Sequence, residues 1–400
     1  MKLHEKLQHL SLESVEDLMR LYYSGDKATN EIIGLFNINI SPSRLYTLFP
    51  PEELDDRLCP HCDSKMIVNR PSKTNYPKNN NTPFCSTCGH KENYSCKCDK
   101  CISDRELKLK RLKEEKERKD LEKRKLIELV YCNVSHKPIN IDSLEFEDKV
   151  YLGSLLRFAL SEDMSNILPL ESMEGSLAPG EIKYDIIRYL YSKNIITVHP
   201  MSSLSAFKEG EDFPNTFYIN LVNYHLNIKY DVDKSCTINE ILNSKMLKEE
   251  IQINLAYNMW KQIALQECLE YLDYQMKKVG FSFNPGEKTN VVFNDLLDNF
   301  SVSQIYGIIY KSITNATRYY QENKITKKQA ANSVITRCQG FGERAFIEQW
   351  QISKYSRLKD LPQSCLSEFL FNKVLKIGSK GFDEIPSIEI IECEVCRPCD

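Results

Sequence analysis

Residues 59–101 read CPHCDSKMIVNRPSKTNYPKNNNTPFCSTCGHKENYSCKCDKC, and seven of the fifteen cysteines of the chain fall inside this stretch. Two C-x2-C pairs, Cys59/Cys62 and Cys85/Cys88, stand twenty-two residues apart. That spacing lets four thiolates converge on one tetrahedral Zn2+. Two intervening residues allow a tight turn to aim both sulfurs of a pair inward, and Gly89 follows the second pair, where a residue without Cβ is useful. Cys96, Cys98 and Cys101 come in quick succession behind it. With His90 as fourth ligand they make a Cys3His second site. They serve equally well as the second half of the first site, which would leave Cys85/Cys88 for another partner, and the spacing does not choose. His61 and His90 sit beside cysteines as ligands or as exposed side chains, with His90 the favoured one. The segment is polar and rich in Asn, Lys and Pro, so it offers little apolar material to bury thiols. The other cysteines are scattered singly, as in a reduced protein, which argues against disulfides.

Outward from this stretch, 400 residues imply two to four domains and at least one sizeable core. The apolar and charged fractions are those of a globular protein. No run of eighteen apolar residues is present, so no membrane span is expected. The N-terminus, Met1-Lys2-Leu3-His4-Glu5, has no apolar signal region, and a cytoplasmic location is expected. A net charge of −3 hides an asymmetry: between Ser64 and Lys91 there are five cations, Lys65, Arg70, Lys73, Lys78 and Lys91, and no acid. Such a stretch suits a polyanion, or is simply an exposed loop. No G-x-G-x-x-G or P-loop pattern occurs, which disfavours nucleotide-binding α/β folds.

Before the cysteines, residues 1–55 carry three short helical patterns. Val15, Leu18, Met19, Tyr22 and Tyr23 recur at helical spacing behind Ser14, read as the N-cap, and Gly25 stops that helix. A second helix covers Thr29–Phe36. Ser41-Pro42 opens a third, with Ser as cap and Pro at the first helical position. It carries Leu45, Tyr46 and Leu48 on its apolar side and ends at Pro50-Pro51. On this reading Ser43, Arg44 and Thr47 share the opposite face.

Helix, short turn and capped helix resemble the helix-turn-helix modules of bacterial transposases, recombinases and regulators. Followed by cysteine knuckles at 56–102, the layout is similar to that of helix-turn-helix plus zinc-ribbon proteins of mobile-element or prophage type. The likeness covers about a fifth of the chain. It implies double-stranded DNA as partner, with Ser43, Arg44 and Thr47 entering the major groove. Lys65, Arg70, Lys73 and Lys78 would then lie along phosphate. A three-helix packing module that touches no nucleic acid is the competing reading. No transposase-like Asp/Asp/Glu core is identifiable downstream, so the resemblance brings no catalysis.

Residues 103–130 are Lys, Glu, Arg and Leu, with a leucine stripe too thin for a coiled coil, and read as a solvated connecting helix. Residues 131–239 look mixed. A helix over 150–158 and another over 181–193 precede a strand at Ile195–Val198, whose expected partner is Phe217–Val222. Helix followed by a hairpin with a long tip resembles a winged helix. His199 and His225, without cysteines nearby, read as core or surface residues. Residues 240–380 are helical: an amphipathic segment over Met246–Lys278, a helix opened by the Ser301/Gln304 capping box, and further helices beginning at Thr326 and Pro362. Tyr306, Tyr310, Tyr319 and Tyr320 read as helix-packing residues. The span 324–359 holds eight cations against two acids, and Arg337 and Arg344, seven apart, share one helical face. The tail, 381–400, carries Cys393, Cys396 and Cys399 as metal ligands or as a redox-sensitive end.

The sequence therefore points to a mainly α, multidomain protein holding one Zn2+, with room for a second. No H-E-x-x-H, nucleophile elbow or paired-acid motif appears, and Asp295 and Asp298 belong to an ordinary amphipathic helix. DNA binding is one functional expectation. A scaffold that binds protein partners or self-associates is the other.

Overall fold

The computed structural model describes residues 3–132, 137–230, 233–243 and 250–395. Cys396 and Cys399 lie outside the described residues. The chain is mainly helical and divides into two compact units, Met1–Lys119 and Asp120–Asp400. None of its described helices is long and apolar enough to cross a membrane.

In the first unit, α1 (Leu12–Ser24) and α2 (Thr29–Leu35) pack with a 3-10 turn at Pro42–Leu48. Their core is Leu7, Leu18, Tyr22, Ile32, Leu45 and Phe49 among others. The cap of α1 is Ser11, whose hydroxyl accepts the Ser14 N–H at 3.2 Å; Ser14 itself lies in the first turn. Gly25 closes α1 in the left-handed region, φ 81°, as its position suggests. The third element differs from expectation. It is a 3-10 turn, not an α-helix, and Ser41 makes no side-chain cap; its hydroxyl instead meets Ser43 at 3.1 Å. Pro42 at the first position and Pro50 and Pro51 just beyond leave too little chain for α-helical turns to accumulate.

The ribbon follows directly. β1 (Glu52–Leu58) pairs antiparallel with β2 (Lys65–Val68), with a bulge between Leu54 and Leu58. Phe84 adds a third rung by exchanging both backbone hydrogen bonds with Ile67 at 2.8 Å. The loop after β2 docks on the helices: Tyr23 donates to the Pro71 carbonyl at 2.6 Å, the Lys73 N–H donates to the Tyr22 hydroxyl, and Tyr76 stacks on Tyr23. Helix α3 (Asp99–Tyr131) is solvated along most of its length. Lys110–Glu114, Lys113–Glu117 and Glu115–Lys119 pairs support it, as the charge pattern suggests.

In the second unit one continuous core runs from Ile127 to Ile391. It includes Ile127 and Tyr131 of α3, α4 (Phe146–Ala159), α5 (Ile182–Ser192) and α6 (Lys234–Asn243). The long helices α7 (Glu250–Lys278), α8 (Glu287–Leu297), α9 (Val302–Glu322) and α10 (Lys327–Ile347) complete it. The capping boxes at Ser301/Gln304 and Thr326/Gln329 are both formed. After α10 the next helix begins at Cys365 behind a Ser364 cap, three residues beyond the Pro362 start expected. Tyr306 is buried and stacks on Tyr271 at 3.8 Å, whereas Tyr310, Tyr319 and Tyr320 sit at the rim. Arg357 clamps the buried Glu267 with two bonds of 2.9 Å.

One strand pairing needs correction. The partner of β3 (Ile196–Val198) is β4 (Tyr224–Leu226), not Phe217–Val222. Phe217 pairs instead with Phe207 across a local loop, where Tyr131, Phe207 and Phe213 pack around it or one another. Aromatic packing places 217–222 in that loop, which separates the two strands by twenty-five residues.

Candidate metal centre

The two cysteine knuckles fold by the same rule. In the first, Cys59 N–H donates to the Ser64 carbonyl and Asp63 N–H to the Cys59 carbonyl; in the second, Cys85 N–H donates to the His90 carbonyl and Gly89 N–H to the Cys85 carbonyl. Each turn needs a left-handed residue right after its second cysteine. Gly89 supplies it at φ 70° and Asp63 at φ 55°, a conformation Asp tolerates better than most residues. The turns also aim backbone N–H groups at sulfur. His61 and Cys62 donate to Cys59, Thr87 and Cys88 to Cys85, Ser64 to Cys62, and His90 to Cys88.

The result is a four-thiol cluster. Cys59 lies 3.5 Å from Cys88, Cys62 lies 3.4 Å from Cys85, and all four sulfurs are within 4.8 Å of one another. A tetrahedron built on Zn–S bonds of about 2.3 Å has edges of about 3.8 Å. The fold thus joins Cys59/Cys62 to Cys85/Cys88, and the alternative in which Cys96–Cys101 complete this set is not the one realised.

A second cluster lies alongside. His61, His90, Cys98 and Cys101 bring their donor atoms within 4.8 Å of one another. His90 Nδ1 is 3.3 Å from Cys101 Sγ, 3.6 Å from Cys96 and 3.8 Å from Cys98. His61 Nε2 is 3.1 Å from Cys101 Sγ. Cys96 accepts the Lys91 N–H at 3.2 Å. Five donors thus surround a place for one ion, His90 among them as the sequence favours. His61 is the addition. Each knuckle sends one histidine to the second cluster, His61 from inside the first turn and His90 from just after the second. The position between Cys59 and Cys62 was the only sequence signal for it.

Electrostatics explains why these clusters want a cation. The Ser64 hydroxyl and N–H, with the Cys85 thiol, pull Cys62 down to about 6. The Cys98 N–H, against the effect of burial and with help from the Lys91 N–H, pulls Cys96 down to about 6. Burial and the neighbouring Cys98 and Cys96 push Cys101 up to about 12. One thiolate forms readily and the next is opposed by it, a conflict that a bound divalent ion removes. The two clusters fit one or two zinc ions. A zinc held by them would be structural, each ligand set being closed by protein.

The residues expected to touch DNA are placed differently from one another. Ser43, Arg44 and Thr47 are exposed on the 3-10 turn, with Thr47 donating to the Arg44 carbonyl at 2.7 Å. Lys65 pairs with Asp55 at 2.7 Å. Arg70 lies 3.6 Å from Glu52 and donates to the Pro50 carbonyl. Lys73 holds its ammonium over Gly25, so close that a Cβ there would stand 3.2 Å from it. That puts a cation at the negative end of α1. Lys78 is exposed. Two cations of the acid-free stretch, Lys65 and Arg70, are therefore answered by the acidic strand β1, Glu52-Glu53-Leu54-Asp55-Asp56, laid beside them by the antiparallel pairing. In the second unit His199, just after β3, and His225 of β4 lie with ring centroids 4.0 Å apart, and among the described residues no cysteine joins them in a metal cluster.

No family model, curated protein or solved structure matches this chain.

Proposed function

We propose that the first unit is a zinc-stabilised module that binds duplex DNA, in a protein of bacterial mobile-element or prophage type. One observation supports this reading best. The turn at Pro42–Leu48 buries Leu45 and Leu48 and leaves Ser43, Arg44 and Thr47 exposed. Arg44 enters no ion pair among the described residues, so its guanidinium is available for a guanine edge; the Ser43 hydroxyl can donate to phosphate, and Thr47, whose proton goes to the Arg44 carbonyl, can accept from a base amino group. Arg70 of the ribbon donates to the carbonyl of Pro50, just beyond this turn, and so ties the two together.

A second reading, a protein-interaction scaffold, is favoured by the ion pairs of Lys65 and Arg70, which remove cations that duplex binding would use. Titration of the full, zinc-loaded chain against random and selected duplexes at several salt concentrations decides between them. On the DNA reading, Arg44→Ala loses preference among sequences by about 1–3 kcal/mol. If the zinc-loaded chain shows no sequence preference that Arg44→Ala abolishes, the DNA reading fails and the scaffold reading stands.

A further inference from the structure

The second unit carries a groove with the opposite charge history to the ribbon. Helices α9 and α10 leave between them a cavity of about 370 Å3 lined by Asn315, Ser333, Thr336, Arg337 and Arg344, with Ser312 among its lining residues. No Asp or Glu lines it. Gly340 lies in the lining where an added Cβ would meet open space. Arg337 and Arg344, seven residues apart, stand about 10 Å from each other along the helix.

Four cations surround this groove, and each is held without a carboxylate. Arg337 donates to the Ser333 hydroxyl at 3.3 Å and lies over the Tyr319 ring. Arg344 donates to the Gly340 carbonyl at 3.0 Å. Lys311 sits over the Phe341 ring, and Lys288 donates to the Thr336 hydroxyl. None of the four enters an ion pair among the described residues. The nearest acid on the helix, Glu343, accepts from Gln339. A further observation is independent of charge. The Ser312 hydroxyl is buried at 2% exposure and lacks a hydrogen-bond partner of ordinary geometry, with the Cys338 thiol beside it. A buried hydroxyl is costly to leave unmatched.

We propose that this groove binds a phosphate group, with Arg337 and Arg344 as its principal ligands and Asn315 and Thr336 as neutral donors, while Ser333, whose proton goes to the Ala330 carbonyl, holds Arg337 in place. A planar guanidinium matches a phosphate face with two parallel bonds, and hydroxyl and amide donors complete the oxygen shell. The phosphate can come from a nucleic-acid backbone or from a small phosphate ester; the chemistry of the groove is the same. The site lies on a different unit from Arg44 and does not rest on the DNA reading of the first unit.

The test uses the full chain in the Arg44→Ala background, so that the first unit contributes no sequence-specific binding. Hydrogen exchange over residues 302–347 is followed with inorganic phosphate, pyrophosphate, a single-stranded oligonucleotide and poly-glutamate. Protection by the oligonucleotide alone identifies a nucleic-acid backbone, and protection by phosphate or pyrophosphate as well identifies a small phosphate ester; either supports the proposal. Arg337→Ala with Arg344→Ala should weaken that binding about tenfold or more, the size of a charge-assisted hydrogen bond. It should also flatten the salt dependence for single strands by about 1.4 in log–log slope. Thr336→Glu, which leaves both arginines in place, should do the same, and the double Arg→Lys variant should retain part of the affinity. Protection by poly-glutamate but by no phosphate, or equal phosphate binding in the native, double Ala and Thr336→Glu chains, overturns the proposal.

Discussion

The apolar cluster of the ribbon is Met66 with Cys59 and Cys85, whereas the second unit gathers side chains from Ile127 to Ile391 into one core. Comparing them separates two ways of holding a chain. A core of that size offsets conformational entropy by removing apolar area from water. One methionine cannot, whereas the two Cys/His clusters beside it fit one or two zinc ions, whose ligand bonds would couple folding to binding. Lys65 and Arg70 of the ribbon are answered by carboxylates of β1, while Lys288, Lys311, Arg337 and Arg344 around the α9–α10 groove meet no carboxylate among the described residues.

The comparison breaks most plainly under chelation. Removing zinc, or Cys59→Ser in its place, should abolish hydrogen-exchange protection across residues 52–101. The thermal transition of the second unit should keep its midpoint. A joint collapse of both would contradict the division.

Arg357→Ala should do the converse. It strands the buried Glu267 carboxylate, and losing one partner of a buried pair costs about 3–5 kcal/mol. Urea unfolding should show that loss in the second unit, with zinc content untouched. Zinc lost along with stability would show that the two units do not hold themselves independently.

A smaller effect concerns acid. Burial, with His199 and Lys234 beside it, pulls His225 down to about 4 from an ordinary value of 6.5. Between those values the unfolded chain binds the proton and the folded one does not. Stability of the second unit should therefore fall as pH drops from 6.5 through 4. His225→Gln should make the urea midpoint flatter over that window. An unchanged slope would mean the histidine pair does not carry the acid sensitivity.

What the sequence disclosed follows the range of each interaction. The C-x2-C spacing, the Gly25 stop, the capping box at Ser301 and the helix start at Thr326 are local, decided within a few residues, and all were legible. The pairing of Lys65 with Asp55 and Arg70 with Glu52 depends on strand register and was not. The same holds for the partner of β3, since aromatic packing drew Phe217 toward Phe207 and left Tyr224 to pair. His61 stands between two cysteines, and only the meeting of both knuckles shows that it faces the second cluster. The third N-terminal element shows a local signal misread: Pro42 does open it, but prolines at both ends hold it to a 3-10 turn.

The central claim is that two metal clusters hold the ribbon together, and native mass spectrometry of the full chain, made without a metal-affinity tag, tests it most directly. The predicted result is two zinc ions per chain, one ion in His90→Ala, and none after exhaustive chelation with exchange protection over 52–101 lost. A metal-free chain whose thiols are reduced and whose residues 52–101 remain protected would contradict it.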